Sequence, residues 1–215
     1  YLGRGWSAAA AEQEQNITIR HLLTMTSGLS VRGVFDAPAG TKWAYNTQIY
    51  ARTVDVLERA SGLDRHELTR QWLTQPLGMA HSKWISRGPK AINAFGFATS
   101  ARDLARFGLL MLAEGSWSGT AVFNDQQYRR DATSSSQTLN PSYGYLWWVN
   151  RNRFDGTINP RLDTAPIDLI AANGARNKHV YIVPSLNLVV TRIGDRSDEE
   201  FAKGFWQLLG EAARP

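Results

Sequence analysis

The apolar residues of this chain change period near residue 140, and that change limits the folds open to it. Before it they recur at helical spacing. Thr18 can cap a short helix carrying Leu22, Leu23 and Met25, with Gly28 placed to stop it in a left-handed conformation. Residues 48–61 put Ile49, Thr53, Val56, Leu57 and Ala60 on one helical face, and Gly62 follows where a C-cap glycine belongs. A third helix is expected from Asp64. In INAFGFATSARDLARFGLLMLAEG, Ser100 and Asp103 form a capping box for a helix burying Leu104, Phe107 and Met111, and Asn124 is placed to cap another.

After the polar loop TSSSQTLNPS come YGYLWWVN, HVYIVP and LNLVVTRI, short runs rich in β-branched and aromatic residues that read as strands. Pro184-Ser185-Leu186-Asn187 is a tight connection, so the last two should pair antiparallel. Ser197 with Glu200 would cap a final helix presenting Phe201, Phe205, Leu208 and Ala212. Helices, then strands, then a helix predict an α+β arrangement. The expected organisation is a connector over 1–16, a mainly helical lobe over 17–140, and C-terminal strands with a terminal helix over 141–215.

Composition narrows the function classes. With 43% hydrophobic and 20% charged residues, the chain matches ordinary globular domains. Its net charge of +5 comes from basic residues scattered singly, with no stripe to follow a phosphate backbone, so no nucleic-acid partner is expected. The longest apolar runs fall well short of the roughly 18 residues of a membrane span, which predicts a soluble chain. Without cysteine there is no disulfide, thiolate metal site or cysteine nucleophile. His21, His66, His81 and His179 lack metal-ligand spacing, because His66-Glu67 is followed by Arg70 where a zinc helix needs histidine. Neither a metal nor a cofactor is expected.

Residues 17–30, ITIRHLLTMTSGLS, and 43–62, WAYNTQIYARTVDVLERASG, resemble the penicillin-recognising serine hydrolases. These comprise class C β-lactamases, D-alanyl-D-alanine peptidases, and esterases and amide hydrolases of the 6-aminohexanoate-dimer-hydrolase type. ATSARDLARFGLLMLAEG and YGYLWWV add to the likeness, which runs from Ile17 to about Gly210. It implies a β-lactamase/transpeptidase-like fold with a helical lobe beside an antiparallel sheet flanked by helices. The family's nucleophile and base lie in Ser-x-x-Lys, one helical turn apart, and no serine here has lysine three residues later. The resemblance therefore implies that serine and lysine come from sequence outside these residues, on a complementary N-terminal fragment or partner chain. It also gives a lean towards a bacterial periplasmic or secreted setting.

The family's Tyr-x-Asn motif is matched at Tyr45-Asn46-Thr47, after Pro38-Ala39-Gly40. The resemblance makes Tyr45 a catalytic residue that relays protons, provided a nearby cation favours its ionised form. Thr47 replaces the family's asparagine and is either a substrate contact or a helix N-cap. The strand motif, Lys-Thr-Gly or His-x-Gly, aligns with Ala172-Asn173-Gly174. Gly174 would let the backbone approach a substrate, the Ala175 N–H would be half of an oxyanion hole, and Asn173 would orient substrate or simply belong to a turn. Ala172 stands where the family has lysine, with Arg176 and Lys178 as candidate replacements. Tyr143 is a candidate substrate contact or a core aromatic. Gly115-Ser116-Trp117-Ser118-Gly119 is a turn rather than a nucleophile elbow, since tryptophan is at its centre. The expected reaction is hydrolysis of a small ester or linear amide through an acyl-enzyme. A non-catalytic binding homologue and a β-lactamase or D-Ala-D-Ala carboxypeptidase are the alternatives, the latter disfavoured by Thr47 and Ala172.

Overall fold

Glu14 is a buried carboxylate around which the N-terminal residues fold. It ends a single helical turn, α1 (Ala11–Glu14), and accepts from Gly5 N–H at 2.7 Å, Ser7 N–H at 2.8 Å and Ser7 Oγ–H at 2.8 Å. Trp6, Ala9 and Ile17 pack on a core of Leu22, Leu29 and Ile49. Trp6 and Ala9, within the stretch expected as a connector, thus pack on this core. The computed structural model describes residues 1–88, 94–150 and 162–212. They form two compact units, Tyr1–Thr99 and Ser100–Pro215.

In the first unit, Thr18 caps α2 (Ile19–Leu23) through a bond from His21 N–H, as predicted. The helix stops before Gly28. Met25 takes the left-handed conformation, φ 62°, while Thr26 N–H bonds the His21 carbonyl at 2.9 Å and Met25 N–H the Leu22 carbonyl at 3.4 Å. This closing pattern usually uses glycine, and methionine occupies it here. Gly28 serves a different need: a Cβ there would lie 2.0 Å from the Ala37 carbonyl oxygen, so two backbone segments touch at that point.

The helix expected over 48–61 is two pieces, α3 (Thr47–Tyr50) and α4 (Arg52–Ser61), and Gly62 ends the second at φ 71° as foreseen. Ile49 and Val56 are buried, whereas Leu57 is exposed. Asp64 caps α5 (Arg65–Thr69), which continues into a π-helical turn, Arg70–Thr74. Strands β1 (Lys83–Ser86) and β2 (Phe95–Ala98) then pair antiparallel, with Trp84 edge-on to Phe97.

In the second unit, Ser100 caps α6 (Ala101–Leu112) by accepting from Asp103 N–H at 3.1 Å. Asp103 is itself 1% exposed and paired with Arg106. A small hairpin, β3 (Ser116–Trp117) with β4 (Thr120–Ala121), turns through Ser118 and Gly119, both at positive φ, so the Gly-Ser-Trp-Ser-Gly stretch is a turn. Asp125, not Asn124, caps α7 (Gln126–Ala132). The main sheet is antiparallel, in the order β5 (Trp148–Val149), β6 (Ile170–Gly174), β7 (Lys178–Val183), β8 (Leu188–Arg192). Pro184–Leu186 forms the predicted tight link between the last two strands.

Both faces of this sheet are covered. Ala171, Tyr181 and Val183 pack with Trp206 of α8 (Glu199–Ala212), while α6 lies on the opposite face, where Gly108 meets Val180 and Val189. The first turn of α8 is capped by Asp198 rather than Ser197, through a bond from Phe201 N–H at 2.8 Å. Its buried face is Trp206 with Phe205 and Leu209, and Leu208 points outward at 67% exposure. Among the described residues no helix is long and apolar enough to cross a membrane.

Two tests follow from these contacts. Alanine at position 108 would gain about 1 kcal/mol of helix propensity, yet its methyl carbon would lie 2.5 Å from Val189 Cγ1 and 2.9 Å from Val180 Cγ2. Overpacking of that kind costs about 1–3 kcal/mol, so Gly108→Ala should lower the urea midpoint; a raised midpoint would mean that the helix stands off the sheet.

Burial opposes ionisation of Glu14, but the hydrogen bonds from Ser7 and Gly5 outweigh it and hold the carboxyl below its ordinary value of 4.5. A depressed folded-state value means that the stabilisation is present above the unfolded value and is lost as pH falls through the folded one. The Gly5 and Ser7 amide NMR signals should therefore hold steady where an ordinary glutamate titrates and move together only at lower pH. Movement at the ordinary value would show that the carboxylate is not held.

Candidate active site

Tyr45 rises from a stretch of backbone that is fixed on both sides. Ala44 N–H donates to the Met25 carbonyl at 2.9 Å, and Asn46 N–H to Met25 Sδ at 3.4 Å. The Asn46 side chain is 4% exposed, donates through Nδ2 to the Leu29 carbonyl at 2.9 Å, and accepts through Oδ1 from Ile49 N–H at 3.2 Å, which caps α3. Between these neighbours Tyr45 is 43% exposed, its ring tilted against Trp43 with centroids 6.4 Å apart. Such a phenol can meet a substrate without moving its own backbone. Thr47 is the first residue of α3, so the capping role considered for it belongs to Asn46.

The other candidates sit at the end of β6. Gly174 pairs with Lys178 across the hairpin, leaving Ala175, Arg176 and Asn177 as the turn, the last two at φ 59° and 58°. Lys178 Nζ donates to the carbonyls of Ala175 and Gly194 at 3.3 and 3.2 Å, and Arg192 Nη1 to the Asn177 carbonyl at 2.7 Å. Lys178 is thereby engaged in bracing the turn, and Arg176 extends towards Asp195, 3.8 Å away.

Ala172 pairs with Val180 on the α6 face of the sheet, whereas Asn173 pairs with His179 on the α8 face. The Asn173 Oδ1 lies 2.9 Å from His179 Nδ1. The imidazole stacks on Tyr181, which packs edge-on against Trp206. One end of the Asn173 carboxamide is therefore held from within the sheet.

Tyr143 is only 2% exposed and edge-on to Trp148, with centroids 4.8 Å apart. It fills the interior of the turn that leads into β5, beside the buried Tyr145 and Trp147, and takes the core position considered for it rather than an open face. The second unit also contains two hollows of about 310 Å³ each, one walled by Leu109, Trp117 and Asn187 and the other by Met111, Arg129 and Asp168. Neither includes Asn173, Gly174 or Ala175, and their charged groups are occupied by pairs such as Arg129–Glu114 and Asp168–Ser185. Among the described residues no three His, Cys, Asp or Glu side chains cluster to hold a metal ion.

Two contributors escaped the sequence reading. Asn46 carried a usable signal, since asparagine outranks threonine as an N-cap. His179 could be found only once the three-residue turn fixed which residues of β6 and β7 face each other.

Residues 2–213 match the Beta-lactamase family, and the chain belongs to that family, the penicillin-recognising serine hydrolases. No curated protein matches it. A β-lactamase structure from Mycobacterium bovis is similar with TM-score 0.69 at 20% identity, covering 92% of this chain and 73% of that one. A β-lactamase/D-alanine carboxypeptidase from Yersinia pestis gives 0.66 at 17%, covering 98% and 74%. Simvastatin synthase from Aspergillus terreus gives 0.66 at 14%, covering 93% and 69%. At these identities the likeness shows the fold, which is the α+β, β-lactamase/transpeptidase-like fold expected from the sequence.

The interior placement of Tyr143 has a measurable consequence. Tyr143→Ala should destabilise the protein by about 3–5 kcal/mol, as large aromatic-to-alanine changes in cores do. A shift of less than about 1 kcal/mol in chemical denaturation would return Tyr143 to the surface.

Proposed function

We propose that this protein hydrolyses an ester or a linear amide through a covalent acyl-enzyme. The nucleophilic serine and its lysine base would be supplied by polypeptide outside these 215 residues, with Tyr45 passing protons and the Ala175 N–H helping to bind the oxyanion in the same reaction. The observation that carries this reading is the half-exposed Tyr45 side chain on a fixed backbone, at the tyrosine of a Tyr-x-Asn motif whose asparagine is Thr47 here. A proton relay needs a hydroxyl that can reach the reacting atoms and a scaffold that does not drift.

The substrate class follows from what the site residues lack. Thr47 offers no carboxamide to an acylamino side chain. Ala172 offers no cation to a substrate carboxylate, and Lys178 is taken up by turn carbonyls. Both points favour an uncharged ester or linear amide over a penicillin or a peptide ending in a carboxylate. The fold does not choose among these, since structures named for quite different substrates share it.

The test uses the whole protein. It should turn over a chromogenic ester and leave a chromogenic cephalosporin intact. Tyr45→Phe should lower kcat by about 10²–10⁴-fold, the usual worth of a positioned proton-transfer group, with the fold retained by circular dichroism. Full activity in Tyr45→Phe would overturn the relay, and rapid cephalosporin turnover would overturn the substrate class.

A further inference from the structure

We infer that Asn46 is a positioning residue for Tyr45, and that the donor end of its carboxamide sets where the phenol stands. This rests on the proton-relay role proposed for Tyr45. The two ends of the carboxamide do separate work. Oδ1 caps α3 by accepting from Ile49 N–H, a task that serine, threonine or aspartate performs as well. Nδ2 reaches across the chain to the Leu29 carbonyl, and an ionised aspartate has no donor for that bond.

The Leu29 carbonyl is a stiff anchor. Asp36 and Ala37 N–H both bond the Gly28 carbonyl, at 2.9 and 3.0 Å, and Leu29 bridges Phe35 in antiparallel fashion. Contact between the Gly28 and Ala37 backbones leaves this turn little room to shift. At 4% exposure, Asn46 has little water to replace a lost partner, so its geometry is enforced by the cost of leaving a buried donor unsatisfied. Tyr45 is the next residue back along the chain, with Ala44 and Asn46 both bonded to Met25. A rotation of Asn46 therefore swings the Tyr45 backbone, and the phenol, at the far end of the ring, moves most.

Asn46→Asp is the informative substitution, since it keeps the size and the cap but turns an acceptor towards the Leu29 carbonyl. In the whole protein, with the chromogenic ester, it should lower kcat by about 10²-fold with little change in KM, the scale of a misplacement near 1 Å. Asn46→Asp in a Tyr45→Phe background should cost nothing further, because the two residues act through one hydroxyl. Should Asn46→Asp fail to fold, Asn46→Ser carries the same double-substitution comparison. Losses that multiply would make Asn46 a structural cap only and overturn the inference, as would an unchanged kcat in Asn46→Asp. If Tyr45→Phe alone leaves kcat intact, the relay reading itself fails and the inference falls with it.

Discussion

Around Tyr45 the chain uses a buried carboxamide where a mobile loop would otherwise be. Asn46 has a donor and an acceptor at opposite ends, and each meets a backbone group that would be left unpaired inside the first unit: the Leu29 carbonyl and the Ile49 N–H. Each such bond adds only about 1 kcal/mol net, but leaving a buried partner unmade costs more. The asymmetry matters more than the sum. It removes the alternatives available to residues 44–46 and leaves one exposed phenol on a rigid base, which a group taking part in a reaction requires.

The hairpin at the end of β6 meets the same demand by different means. Its turn residues Arg176 and Asn177 sit at positive φ, which is costly for side-chain-bearing residues. Lysine and arginine side chains from β7 and β8 hold the turn carbonyls in place. The backbone at Gly174 and Ala175 is thus presented on a braced edge, with a sheet beneath it that α6 and α8 cover on its two faces. Where Tyr45 is steadied by one buried amide, this edge is steadied by cations placed against carbonyl oxygens.

Much of this could be read from the residues, and the failures share a physical origin. Thr18, Asp64, Ser100 and Gly62 were legible because capping is local and depends on a few adjacent side chains. The β7–β8 hairpin was legible because its turn residues lie between two β-rich runs. Gly28 misled because left-handed residues that end helices and glycines that allow backbone contact look alike in sequence. The contact with Ala37 is set by a segment nine residues away. Leu208 misled, and Tyr143 stayed open between substrate contact and core, because the choice of inward face depends on what packs there, which tertiary structure decides. Strands β1 and β2 have too few residues, none of them buried, to show a period. In the candidate site, Tyr45 and the β6 motif were visible through family resemblance, whereas Asn46 acts through Leu29, well back along the chain, and His179 through a residue of the neighbouring strand.

A crystal structure of the whole protein carrying a phosphonate ester on its nucleophile would test the central claim most directly. The expected structure has the Tyr45 hydroxyl within hydrogen-bond reach, about 2.6–3.2 Å, of an oxygen of the phosphonyl group, with the Asn46 carboxamide still spanning Leu29 and Ile49. An adduct whose phosphonyl group lies away from Tyr45 would contradict it.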